Sequence, residues 1–216
     1  MSDERQGFYA TKDSPYFFDR FVFWFRTNFD VVKEALLLPP VKILYRVGLR
    51  PNHLSVLGFV CGVSAPLWLY FTEATWPTSL AIVLFFVFDG MDGTMARHYK
   101  LTRPAGKWVD ILIDLTTSAI LLFGIGVVTG HGMLGGLATA EFVIMEALYF
   151  WLLRRGVLRA PMHGHLAANV AFILTWYTFG IWLHIFLNTL SLIFGLYFAA
   201  QVLRKQNLHR RGKSVK

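Results

Sequence analysis

From Pro51 to Leu203 the chain alternates long apolar blocks with short polar ones, and the blocks cluster near one length. Six can be marked off, at His53–Thr72, Pro77–Arg97, Gly106–Val128, Met133–Leu153, Leu166–Ile185 and Thr189–Leu203. A helix that crosses hydrocarbon needs about 20 apolar residues, so each block reads as a transmembrane span. The short connections make neighbouring helices antiparallel. Upstream, Tyr16–Leu38 is dense in Phe17, Phe18, Phe21, Trp24, Phe25 and Phe29 but broken by Asp19, Arg20, Arg26, Asp30, Lys33 and Glu34. Charges recurring that often suit an amphipathic helix lying in the membrane interface, or else a helix packed on a cytosolic partner. Pro39-Pro40 is expected to end it. The predicted fold class is therefore an all-α integral membrane protein, six transmembrane helices preceded by an amphipathic interfacial helix. Residues 1–50 form the N-terminal part, 51–204 the membrane domain and 205–216 a basic tail. Met1–Ser14 is polar and of mixed charge, without the basic and apolar regions of a cleaved signal peptide. No internal repeat or second soluble domain is visible.

Composition agrees with spans rather than a water-soluble core. Of the 216 residues, 55% are hydrophobic and 16% charged, and mean hydropathy is +0.49. Soluble domains carry about 25% charged residues. A single cysteine excludes a disulfide framework, and no Cys/His cluster has zinc-like spacing. The formal charge of +8 raises nucleic acid as a partner, but its distribution removes that reading. Eight Lys and Arg lie in Met1–Asn52, four between the second and third spans, three after the fourth and six in the tail. The opposite connections, around Glu73, His131 and Asn188, hold none. By the positive-inside rule both termini and the basic loops are cytoplasmic. The excess charge also suits contact with anionic lipid.

Six acids fall within or beside spans: Asp89, Asp92, Asp110, Asp114, Glu141 and Glu146. Ionisable groups there cost several kcal/mol and mark function by default. At 100° per residue, Asp89, Asp92, Gly93, Ala96 and Arg97 share an arc of roughly 140° on one helix. Gly106, Asp110 and Asp114 form a narrower stripe on the next, and a short loop lets the stripes face each other. Four converging carboxylates repel unless a cation holds them. Oxygen-only ligands select a hard cation: Mg²⁺, Mn²⁺ or Ca²⁺. Gly93, Ala96 and Gly106 leave room for a ligand or for close helix packing. The fork of Arg97 suits phosphate oxygens. The alternative is ion pairing with Arg97, Lys100 and Arg103, which leaves the alignment of the two stripes unexplained.

The run Asp89-Gly-Met-Asp92-Gly93-Thr-Met-Ala96-Arg97, eight residues, Gly106, three residues, Asp110, three residues, Asp114 resembles the signature of the CDP-alcohol phosphotransferase (CDP-alcohol phosphatidyltransferase) family. Eight fixed residues over 26 match. The six spans and the Pro51-Asn52-His-Leu-Ser55 entry are similar too. The resemblance implies that Asp89, Asp92 and Asp110 hold one or two divalent ions, Mg²⁺ or Mn²⁺, with Asp114 sharing the site and acting as general base. It places Asn52, Ser55, Asp92, Gly93, Ala96, Arg97 and Gly106 in the CDP pocket. It also implies transfer from a CDP-linked lipid such as CDP-diacylglycerol to a small alcohol, release of CMP, and a homodimer.

The acceptor stays open. Leu-Thr-Thr-Ser-Ala after Asp114 lacks the basic residue that often follows in members using glycerol phosphate or inositol phosphate, whereas Arg154, Arg155 and Arg159 suit an anionic acceptor. Glu146, about two turns below Arg154, suits the amino group of serine or an amino alcohol. Glu141 reads as a packing hydrogen bonder. His163 and His165 read as solvated, and Cys61 as a small buried residue. Gly58 and Gly62 mark either a dimer face or close packing within the chain. The Trp residues near span ends read as interface anchors. The competing class, an ion-coupled carrier, places charge at the midplane and builds on repeats, neither of which is seen here.

Overall fold

The computed structural model describes residues 17–102, 104–154 and 164–213. All seven elements among them are α-helices: α1 (Phe17–Arg46), α2 (Pro51–Thr72), α3 (Thr75–His98), α4 (Pro104–Val128), α5 (Gly132–Leu153), α6 (Gly164–Ile173) and α7 (Tyr177–Lys213). Five contain stretches long and apolar enough to cross a bilayer: α2, α3, Ile111–Val128 of α4, Gly132–Leu152 of α5 and Tyr177–Gln201 of α7. The chain is thus an all-α, multi-pass membrane protein.

Two expectations are corrected. Pro39 and Pro40 do not end α1, which runs through both to Arg46. A proline inside a helix costs about 3 kcal/mol. Here the next turn offsets that cost, because Val41 is fully buried against α2 and α3 with Leu37, Leu44 and Tyr45 around it. The last hairpin also differs. No turn occurs near Asn188; the break lies at Leu174–Trp176, and α7 then continues for 37 residues, about 55 Å. Thr175 takes φ 63°, and the amides of Thr175 and Trp176 donate back to Phe172 O and Ala171 O. Asn188 instead sits fully buried inside α7, its Nδ2 3.0 Å from His184 Nε2. The expected spans Leu166–Ile185 and Thr189–Leu203 are therefore redrawn. Among the described residues α6 holds ten, about 15 Å, which is short of a crossing.

Packing between helices is close where side chains are small. α2 lies along α3 and α4. A Cβ at Gly58 would come within 3.3 Å of Phe88 Cβ, and one at Gly62 would collide with Thr117 Cγ2. The two glycines thus serve contacts within the chain. Hydroxyls join neighbouring helices through carbonyls and carboxylates. Thr78 donates to Ala65 O (3.2 Å), Ser79 to Ile173 O (2.8 Å), and Thr189 to Glu141 Oε1 (2.5 Å). Glu141 has the packing role expected of it. At one end of the bundle Tyr45 stacks on Tyr99 at 3.7 Å, and the Arg50 guanidinium lies 4.5 Å from the Tyr45 centroid. That stack joins the end of α1, the entry to α2 and the exit of α3.

Candidate active site

α2, α3 and α4 enclose a cleft lined by Ser55, Gly58, Phe85, Asp89, Asp92, Ile113 and Asp114. The lining follows from helical spacing. Phe85, Asp89 and Asp92 repeat at intervals of four and three, one face of α3. The Gly58 approach draws α2 onto that face. Asp89 and Asp92 lie about 13 and 9 Å inside the C-terminal end of α3, and Asp114 about 15 Å inside the start of α4. Asp92 is 5% exposed, and its Oδ2 accepts a 2.5 Å hydrogen bond from Ser55 Oγ. Asp89 and Asp114 are half-buried.

The cleft is narrow, its lining side chains closing on one another. Arg97 and Asn52 are exposed at the end of the bundle beyond it. There the Arg97 guanidinium folds back over α3. A Cβ at Gly93 would lie 3.2 Å from its Nη1, and Nη2 is 3.5 Å from Thr94 Oγ1. Gly93 therefore gives the guanidinium its place. Ala96 is half-buried one turn further along.

The structure brings Asp89, Asp92 and Asp114 together, as the facing stripes predict, and adds Ser55 from α2. Gly106 and Asp110 belong to α4, one on its first turn and the other one turn from Asp114, but the Asp110 side chain lies outside the described residues. Arg155, Arg159 and His163 lie outside them as well, as does the His165 side chain. Glu146 and Arg154 are on α5, which packs against α4 and α7, and neither lines the cleft. Arg154 is exposed at the end of its helix. Phe85 and Ile113 line the cleft without having been anticipated. Their signal was spacing, since Phe85 stands four residues before Asp89 and Ile113 beside Asp114.

The donor set fits a hard divalent cation in kind: the cleft lining offers carboxylates and a hydroxyl, with no thiol or imidazole. Among the described residues, no three acidic, imidazole or thiol groups already converge as a complete ligand set.

Comparison with known proteins identifies the frame in which this cleft sits. Residues 49–201 match the family described as CDP-alcohol phosphatidyltransferase, a stretch that contains every residue of the cleft. Inner membrane protein YnjF of Escherichia coli is 35% identical over 93 residues, 42% of this chain and 43% of that protein. Choline/ethanolaminephosphotransferase 1 of Saccharomyces cerevisiae is 28% identical over 155 residues, 61% of this chain and 38% of that protein. Archaetidylinositol phosphate synthase of Pyrococcus horikoshii is 27% identical over 123 residues, 57% of this chain and 61% of that protein. The chain thus spans under two-thirds of the length of each of these relatives. With well over half of its own length matched to one family, the chain belongs to the CDP-alcohol phosphatidyltransferases.

Proposed function

We propose that this chain transfers a phosphatidyl group from a CDP-linked lipid, such as CDP-diacylglycerol, to the hydroxyl of a small polar alcohol and releases CMP, a step of phospholipid biosynthesis. The observation that carries this reading is the meeting of Asp89, Asp92 and Asp114 in one cleft between α2, α3 and α4. Asp89, Asp92 and Asp110 would hold one or two divalent ions, Mg²⁺ or Mn²⁺, with Asp114 sharing the site. Such a cation, when bound, offsets the charge of the diphosphate. Arg97, an exposed fork beside Gly93, binds diphosphate oxygens bidentately. Gly93, Ala96 and Gly106 leave backbone accessible to the nucleotide, with Asn52 at the rim.

Asp114, deeper than Asp110 by one turn, takes the proton of the acceptor hydroxyl. The acceptor oxygen then bonds to the lipid-linked phosphorus. The bond from that phosphorus to the bridging oxygen breaks, and CMP leaves with the electron pair. Acyl chains stay in lipid and the nucleotide in water, which suits an active site near the membrane surface. The distribution of Lys and Arg supports a cytoplasmic active site with both termini on that side. The outer part of α1 lies in the interface, and two copies associate as a homodimer.

The acceptor is a small alcohol of the serine, amino alcohol or inositol kind. The relatives named for choline, ethanolamine and archaetidylinositol phosphate bracket the range. Arg154, exposed at the end of α5, favours a phosphorylated acceptor as the second reading. An ion-coupled carrier, the other reading of intramembrane acids, finds no support in the family. CMP release by the purified protein tests the proposal, with CDP-diacylglycerol, Mg²⁺ or Mn²⁺, and serine, inositol, inositol phosphate, glycerol phosphate or an amino alcohol in separate reactions. A second series pairs CDP-linked amino alcohols with diacylglycerol. Release stimulated by one acceptor and lost in Asp114→Asn, which still binds the donor, is the expected outcome. Undiminished transfer in Asp114→Asn would remove that residue as the base, and silence in both series would overturn the activity.

A further inference from the structure

α2 contributes a polar side chain to the cleft at Ser55, between Asn52-His53 at the start of the helix and the apolar run that follows. Its hydroxyl has two acceptors within reach, Pro51 O at 3.2 Å on its own helix and Asp92 Oδ2 at 2.5 Å on α3. A hydroxyl carries one proton, and a short bond to a carboxylate is the stronger use of it. Both partners are buried, Ser55 at 4% exposure and Asp92 at 5%. A buried carboxylate is costly without hydrogen bonds, so the donor has an evident purpose. With Oδ2 held from α2, rotation of the carboxylate is restricted and the direction of Oδ1 is fixed.

The reach of so short a side chain depends on how closely the helices approach. Gly58, one turn on from Ser55, sets that approach: a Cβ there would lie 3.3 Å from Phe88 Cβ and 3.4 Å from Phe85 O. The glycine and the serine act together, one bringing α2 close and the other using the proximity. Neighbours that orient a carboxylate ligand typically change metal affinity by about 10–100-fold when removed.

We propose that Ser55 is a positioning residue that orients the Asp92 carboxylate towards the divalent cation. This rests on the metal-dependent reading above. Its test is Mn²⁺ binding to the purified full-length protein, followed by the electron paramagnetic resonance of free Mn²⁺, without nucleotide or turnover. Ser55→Ala weakens Mn²⁺ binding about 10-fold, while Ser55→Thr keeps the wild-type value. Unchanged Mn²⁺ affinity in Ser55→Ala overturns the proposal, whether a raised donor KM then makes the serine a nucleotide contact or a lowered melting temperature makes it a simple helix fastener. If the alanine variant is not monodisperse, Ser55→Cys, close in size but a weaker donor, replaces it with the same expected direction. Asp92→Asn serves as the reference for lost binding. Wild-type protein that binds no Mn²⁺ would overturn the metal reading itself, a result distinct from equal binding by wild type and Ser55→Ala.

Discussion

One absent methyl group at Gly62 sets the distance between α2 and α4, because any Cβ there would occupy the position of Thr117 Cγ2. Thr117 is fully buried, so it has little space into which to retreat. Gly62→Val should lower the stability of the protein by about 1–3 kcal/mol, the usual cost of overpacking. Thermal unfolding in detergent, read by tryptophan fluorescence, measures it, and an unchanged transition would mean that α2 tilts away freely. Legibility at this scale divided along physical lines. The aspartates were readable because charge in hydrocarbon is expensive, so their spacing carried the site. Ser55 was placed near the pocket by the family resemblance alone, since its bond to Asp92 depends on a helix 37 positions away. Thr175 could not be anticipated. A β-branched residue at φ 63° runs against its own preference, and the amide bonds back to Phe172 O and Ala171 O close the turn around it.

At the scale of elements, the contact between α1 and α3 lies beside the catalytic face. Leu37, Val41 and Tyr45 pack with Met91 and Met95 of α3, while Asp89 and Asp92 point into the cleft. The Tyr45–Tyr99 stack closes this contact at its end. Such a pair adds about 0.5–1.5 kcal/mol beyond the area it buries. Tyr99→Ala should therefore raise amide hydrogen exchange across residues 33–46 several-fold and leave the α5–α7 contact unaltered. Uniformly faster exchange through all helices would show that the stack supports the whole fold instead. The proline pair misled because the local cost of Pro39 and Pro40 is visible in sequence, whereas the burial of Val41 that offsets it is not. The same holds for Asn188, whose turn propensity is overridden once His184 faces it within the helix.

For the whole molecule, the alternation of the helices fixes which connections share a side. The positive-inside rule predicts Lys100, Arg154 and Lys213 on the cytoplasmic side and Glu73, Gly130 and Thr175 on the other, which requires the segment containing α6 to cross. Single cysteines at these positions in a Cys61→Ser background, probed with a membrane-impermeant maleimide in sealed vesicles, should label as two groups of three. Labelling of Thr175 together with Arg154 would mean that the segment containing α6 does not cross. That the chain is an all-α multi-pass bundle was legible from block length, which the bilayer sets. The position of its last break was not, because apolar sequence runs unbroken on either side of Leu174–Trp176.

The two prolines inside α1 have one more consequence. Neither has an amide hydrogen, so the carbonyls of Ala35 and Leu36 lack their usual donors four residues on. Both residues are exposed, and water or lipid headgroups can take those carbonyls. The helix is thereby jointed just before the turn that Val41 anchors to α3. Lys33 and Leu37, before the prolines, lie over Gly90 of α3, so the two carbonyls are freed within the part of α1 that is seated on the bundle.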